Sequence, residues 1–308
     1  MRAVRSLLLL FPSVIACAPS QQIARLGDVR LESGSVIRDC RIGYRTAGQL
    51  DAARSNAVLV TPWFQGTSAE LTRQIGPGKL VDSSKYFVIM VDTLGNGVSS
   101  SPSTSSLQPG DDFPTFSIGD MVETQHHLVT QVLHVAHLKA VVGISMGGMQ
   151  VFQWITTYPE FMDKGISIVG SPQAQPDDRL RCQDLIRTVQ ANPAWKRAMF
   201  ALGRGQPRAA FGELGIDAGD HARQAQAIMA LDIPSSFGGS MARAASSIRA
   251  RLLVVGTTKD REVNPAPGFE LAGLAGAEVF HLKGDCGHQS PSCEKDTLWP
   301  LVGRFLDQ

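Results

Sequence analysis

An α/β fold, with a mostly parallel sheet covered by helices on both faces, is what this sequence predicts on three observations. Short apolar runs alternate along the chain with segments of helical periodicity, and parallel strands need crossovers of that kind. The 308 residues, 43% hydrophobic and 19% charged, suit one large domain and exclude a disordered chain. A glycine-flanked serine, Gly143-Ile144-Ser145-Met146-Gly147-Gly148, stands where an apolar run gives way to an amphipathic one.

Taken in order, the segments give eight strands. Residues 28–33 and 40–46 form a starting hairpin with Gly34 at the turn. Residues 57–61 are a short apolar run ahead of the loop Pro62-Trp63-Phe64-Gln65-Gly66. A fourth run, 86–91, is bounded by Lys85 and Asp92. Residues 118–138 carry helical spacing through Met121, Val122, Leu128, Val129, Val132, Leu133 and Val135. A strand at 140–144 and a helix at 146–158, stopped before Pro159, enclose Ser145. Strands at 165–169, 252–256 and 277–282 and a closing helix at 297–306 complete the series. Residues 172–247 break this rhythm. They are helix-biased and read as a helical cap over the C-terminal edge of the sheet, where such folds place their sites. The expected organisation is a leader at 1–25, core at 26–171, cap at 172–247 and core again at 248–308.

Composition excludes several partners. Lys+Arg 29 against Asp+Glu 28 leaves a net charge of +1, with no basic field for nucleic acid. No apolar run approaches the roughly 20 residues of a membrane span, which excludes a multi-span protein.

The N-terminus reads as an export signal. Arg2 and Arg5 precede an apolar stretch, 6–16, of about 11 residues. Ala16-Cys17-Ala18 is an A-x-A cleavage site, but it would leave Pro19 first. Val14-Ile15-Ala16-Cys17 has the form of a bacterial lipobox, in which Cys17 carries a lipid anchor. An uncleaved apolar tail is the third reading. The expectation is an exported protein, periplasmic or a membrane-anchored lipoprotein, so disulfides can persist among Cys40, Cys182, Cys286 and Cys293. Cys286 and Cys293 bracket His288 and are expected to be bonded. No C-x-x-C pair suggests zinc.

The strongest chemical signal is the G-x-S-x-G between strand and helix, the nucleophile-elbow pattern of α/β-hydrolases. The turn is so tight that Gly143 and Gly147 must lack side chains, and Ser145 then projects from the sheet edge above a helix N-terminus. A serine hydroxyl needs a base oriented by an acid, and this fold orders them Ser, acid, His. After Ser145 the histidines are His221 in the cap, His281 inside a strand and His288 in the loop Gly284-Asp285-Cys286-Gly287-His288. His288 is the expected base. Asp260, after the strand 252–256, is the expected acid, with Glu262 and Asp285 as alternatives. The oxyanion donors are the Met146 N–H and one from the loop after residue 61: Phe64, or Trp63 as runner-up. Trp63 and Gln65 are expected to contact substrate. His126, His127, His134 and His137 fall on one expected helix without a carboxylate or thiolate in register, so a solvated face and no metal site is expected. No cofactor is implied.

At these residues the chain resembles the homoserine O-acetyltransferase family of the α/β-hydrolase superfamily. The matching pieces are Tyr44-Arg45-Thr46-Ala47-Gly48, Ser55-Asn56-Ala57-Val58-Leu59-Val60, Phe113-Pro114, Asp120-Met121-Val122 and Ser145-Met146-Gly147-Gly148-Met149-Gln150. The resemblance implies Ser145, Asp260 and His288 as the triad, in a tunnel under a helical cap. It is weak in the cap. The family's substrate-carboxylate arginine falls at Ile186, with Arg187 one residue off, ahead of Asn192-Pro193-Ala194-Trp195. Its G-H-D-x-F at the histidine is here Gly287-His288-Gln289-Ser290-Pro291. The pieces Thr61-Pro62-Trp63-Phe64-Gln65-Gly66-Thr67 and Asp260-Arg261-Glu262-Val263-Asn264-Pro265 look closer to hydrolase-like relatives. The expectation is an exported serine hydrolase cleaving a small-molecule carboxylic ester. An O-acyltransferase passing the acyl group to an alcohol is the alternative, and a non-catalytic hydrolase-like binding protein the third. A homodimer is compatible with all three.

Overall fold

The computed structural model describes residues 19–191 and 217–308. The expected export signal, Cys17 and the segment Asn192-Pro193-Ala194-Trp195 lie outside the described residues. Eight strands form one sheet: β1 (Gln22–Arg30), β2 (Val36–Ala47), β3 (Ala57–Thr61), β4 (Phe87–Val91), β5 (Leu138–Ile144), β6 (Met162–Ile168), β7 (Arg251–Gly256) and β8 (Glu278–His281). Their order is β1-β2-β4-β3-β5-β6-β7-β8. β1, β2 and β4 pair antiparallel in sequence, and every other pairing is parallel.

The central strands are apolar on both faces because both faces are covered. Along β3, Ala57 and Leu59 enter one core cluster while Val58 and Val60 enter the other. Along β5, Val141 goes to the first, and Ala140, Val142 and Ile144 go to the second. Nine helices among the described residues surround the sheet or cap it: α1 (Ser68–Leu71), α2 (Ile118–His127), α3 (Met146–Thr157), α4 (Pro176–Ala191), α5 (Ala218–Met229), α6 (Met241–Ser247), α7 (Ala266–Ala275), α8 (Ser290–Cys293) and α9 (Lys295–Asp307). α4 to α6 fall in the expected cap region, with α4 packed on α5.

Two expectations need correction. β1 begins at Gln22, so the last residues of the 1–25 leader are part of the sheet. The helix expected over 118–138 is α2 alone, widened at its end into a π-turn over Leu128–Val132. The Leu133 N–H reaches back to Leu128 O (3.0 Å), and His134 takes a left-handed φ of 52°. Arg54 caps the opened end, donating to Leu133 O (2.6 Å) and His134 O (3.1 Å). Leu138 already belongs to β5. The four histidines therefore share no helix face. His126 is half-buried and stacks on Tyr158 at 4.1 Å, and His137 beyond the helix contacts Asp163 at 2.8 Å.

Candidate active site

The site is built at the β5–α3 junction. Ser145 has φ 59° and ψ −119°, a conformation sterically costly for a residue with a Cβ. The neighbours explain how it is held. A Cβ on Gly143 would meet Gly147 O at 2.1 Å, and one on Gly147 would meet Thr61 O at 2.2 Å. Thr61 Oγ1 donates to Gly147 O (3.0 Å), locking the end of β3 to the turn.

Ser145 Oγ lies 2.8 Å from His288 Nε2, and His288 Nδ1 lies 2.7 Å from Asp260 Oδ2. Asp260 is 8% exposed, and its other oxygen accepts the Glu262 and Val263 N–H groups (2.9 and 3.0 Å). The structure thus brings together Ser145, Asp260 and His288. It leaves the alternative acids outside: Glu262 is exposed, and Asp285 pairs with Lys259 at the surface, which holds its carboxyl below the usual range. His281 lies exposed on β8 against Phe269, and His221 is buried in the cap.

His288 sits in a single 3-10 turn, Gly287–Gln289, between bonded cysteines. Cys286 and Cys293 form a disulfide with Cα atoms 6.6 Å apart. Gly287, at φ 54°, passes close to Lys259 O of the acid loop. Base and acid loops therefore touch through backbone as well as through side chains.

Met146 opens α3. The first N–H groups of a helix have no intrahelical partner, and the first bond of this one is Met149 N–H to Ser145 O (3.0 Å). The loop after β3 reaches the same junction, since a Cβ on Gly147 would lie 2.9 Å from Pro62 O. Phe64 packs edge-on to His221 with ring centres 5.4 Å apart. The two residues expected to touch substrate also make contacts within the fold. Trp63 lies against Gly66 and the core below the sheet. Gln65 is 6% exposed and donates its side-chain amide to Gly95 O (3.0 Å). Arg187 points away into solvent, 74% exposed, and pairs with Asp184 one turn back (3.3 Å).

The cap is fastened by polar residues that the sequence did not single out. Asp178 Oδ1 accepts the Asn264 N–H of the acid loop (3.1 Å). Asp220 accepts the Ser103 N–H (3.0 Å) and O–H (2.5 Å). Gln224 Oε1 accepts the Gln65 N–H (2.8 Å). No motif marks them, because each acts on a partner tens of residues away.

The same architecture recurs among known proteins. Residues 65–213 match the family described as alpha/beta hydrolase fold. An acetylester hydrolase from Corynebacterium glutamicum superposes with a TM-score of 0.82 at 26% identity, over 93% of this chain and 95% of that one. The chain has the α/β-hydrolase fold. In sequence it is 38% identical to a probable esterase of Corynebacterium glutamicum over 187 residues, 58% of this chain and 52% of that protein. It is 35% identical to a homoserine O-acetyltransferase of Caulobacter vibrioides over 192 residues, 56% of this chain and 50% of the relative. The chain thus spans about half the length of the curated relatives it matches.

Proposed function

We propose that this chain is a serine esterase that hydrolyses carboxylic esters with small acyl groups. The observation that carries the reading is the unbroken chain Ser145 Oγ–His288–Asp260, with steps of 2.8 and 2.7 Å, above a helix N-terminus. His288 Nε2 takes the Ser145 proton as Oγ attacks the acyl carbon. Asp260, held by two backbone N–H groups, keeps the Nδ1 proton in place. The N–H groups of Met146 and Phe64 receive the tetrahedral oxyanion. His288 then protonates the leaving alcohol, and water, activated by the same histidine, releases the acid. The esterases among the relatives support hydrolysis, and the acetylester hydrolase supports a small acyl group. Transfer to homoserine needs a cation for the amino-acid carboxylate. Ile186 cannot supply one, and Arg187 is committed to Asp184 in solvent. The export pattern ending at Cys17 supports placement outside the cytoplasm, on a lipid anchor; fractionation of wild type against Cys17→Ser checks it.

The test is turnover of aryl esters from acetate to octanoate, with fluorophosphonate labelling and a homoserine arm. Wild type is expected to label, to prefer acetate and to make acid rather than O-acylhomoserine. Ser145→Ala should lose labelling and about 10⁴- to 10⁶-fold of kcat. Turnover of Ser145→Ala within tenfold of wild type would remove the nucleophile. O-acetylhomoserine formed faster than acetate would make the chain a transferase.

A further inference from the structure

We propose, on the reading of Cys17 as a lipid anchor, that the outer face of the β1–β2 hairpin is the surface this chain lays on an anionic phospholipid bilayer.

Anchor and body are close together. Ala18 alone separates Cys17 from Pro19, and two residues of chain span at most about 7 Å. Pro19 is itself fastened, since Arg45 Nη1 donates to its carbonyl oxygen. Gln21 then donates to Asp92 Oδ2 (2.9 Å) and accepts the Ser68 hydroxyl (3.3 Å). A lipid on Cys17 holds this corner of the molecule at the membrane, and the side chains around the corner decide how the rest lies.

The hairpin has two unlike faces. Ala24, Ile37, Cys40 and Ile42 enter the first core cluster. A bulge at Asp39, with φ 47°, takes up the extra residue between Ile37 and Cys40. The other face carries Ile23, Arg25, Arg38 and Arg41, with Ile23 47% exposed and the Arg25 side chain 71% exposed. Beside it runs the segment 98–108. The Ser100 N–H donates to Arg41 O (2.8 Å). Gln108 clips the far end, donating to Val36 O (2.9 Å) and accepting the Arg38 N–H (2.8 Å). These bonds fix the neighbouring Leu107, which at 60% is the most exposed large apolar side chain among the described residues. Ile23, Val98 and Leu107 share one shallow groove with Arg38 and Arg41.

Apolar tips beside guanidinium groups suit the boundary between acyl chains and anionic headgroups. Asp39 offsets part of the charge, pairing with Arg41 and lying 4.0 Å from Arg25. The exposed Arg38 side chain enters no ion pair among the described residues. β2 pairs with β4 only from Tyr44, opposite Val91 at the C-terminal end of β4, to Ala47. Residues 36–43 therefore overrun the sheet edge at which Ser145 stands, and docking on this face turns the active-site side of the sheet to the lipid.

The test adds a tryptophan by Leu107→Trp in the groove, or by Val279→Trp on β8 at the opposite edge of the sheet, in the full chain and in its Cys17→Ser form. Each is mixed with vesicles of phosphatidylglycerol and phosphatidylcholine whose brominated acyl chains quench tryptophan on contact. The added emission of Leu107→Trp is expected to be quenched at least about threefold more than that of Val279→Trp in vesicle-bound protein. Arg38→Glu should weaken vesicle binding of the Cys17→Ser form about 10- to 30-fold and leave turnover of a soluble aryl acetate unchanged. Equal quenching at the two positions overturns the proposal. So does a Cys17→Ser form that binds phosphatidylglycerol vesicles no better than phosphatidylcholine vesicles. A Leu107→Trp emission that answers glycerol phosphate but not vesicles would mean that the groove takes a soluble anion, and overturns it too. Wild type found by mass to carry no lipid on Cys17 would strike the anchor reading alone, because the Cys17→Ser form reports on the face by itself.

Discussion

At the scale of single residues, the site is held by groups that leave no freedom. Gly143 and Gly147 are there because backbone oxygens occupy the places of their Cβ atoms. That part of the site was legible in the sequence, since the elbow is a local pattern with one steric cause. Asp260 and His288 were legible from chain order and from the strands they follow. Gln224 and Asp178 were not, because a buried glutamine or aspartate declares its partner only once the chain is folded. The disulfide stands between these cases. Cys286 and Cys293 enclose Gly287–Gln289, the turn that holds His288 Nε2 2.8 Å from Ser145 Oγ. Closing so short a loop is worth about 2 kcal/mol in the chain-entropy model. Its effect on mechanism should exceed its effect on stability, since it holds the base in register with Ser145. Replacing both cysteines by serine is expected to lower kcat severalfold while KM stays within about twofold, because the cap is untouched. Steady-state kinetics on the double variant check this, and a KM rise with unchanged kcat would contradict it.

Among the elements, strands were read more surely than helix ends. The run 57–61 coincides with β3, since five buried residues in a row admit little else. The 118–138 stretch misled because apolar spacing continues past the helix into a π-turn and then into β5. Arg54, far away in sequence, caps that end. The cap helix α5 carries two adjacent buried titratable groups of opposite tendency. Burial raises the Asp220 carboxyl from 3.8 to about 6, against the two bonds from Ser103. Burial lowers the His221 imidazole from 6.5 to about 4. For Asp220 the folded state holds the proton more tightly, so its contribution to stability falls as pH rises from about 4 to 6. For His221 the unfolded state binds the proton more tightly, so its contribution rises over about pH 4 to 6.5. Each amounts to about 3 kcal/mol over its window, and the two nearly cancel. Asp220→Asn removes one of them and keeps an acceptor for the Ser103 N–H. Relative to wild type, the variant should gain about 3 kcal/mol between pH 4 and 6.5. Urea denaturation at pH 4.5 and 7 checks the sign. A relative loss over that range would refute the assignment of the buried carboxyl.

Across the whole molecule, the strand order β1-β2-β4-β3-β5-β6-β7-β8 brings chain-distant segments under the last helix. The apolar runs predicted a parallel sheet; which strands α9 would bridge could not be read from them. α9 lies on the second core cluster through Leu298, Val302, Phe305 and Leu306, all at most 2% exposed. Its last turn also collects polar contacts. Lys164 Nζ, on β6, donates to Leu306 O (2.7 Å), and Lys85 Nζ and Tyr86 Oη, just before β4, donate to Asp307 (2.6 and 2.9 Å). Arg251, on β7, reaches Gln308 (2.8 Å) and places its guanidinium 5.0 Å from the centre of the Phe305 ring. Magnitudes decide which set holds the helix. Exposed ion pairs contribute little, because solvent screens them and two long side chains must be ordered. Truncating a buried phenylalanine costs about 3–5 kcal/mol, from lost transfer energy and the cavity left behind. Phe305→Ala should therefore lower Tm by roughly 5–8 °C, and Asp307→Asn by less than about 2 °C. Thermal melts of the two variants side by side make the comparison. Equal shifts would mean that the polar turn, rather than the apolar face, fastens this helix to the sheet.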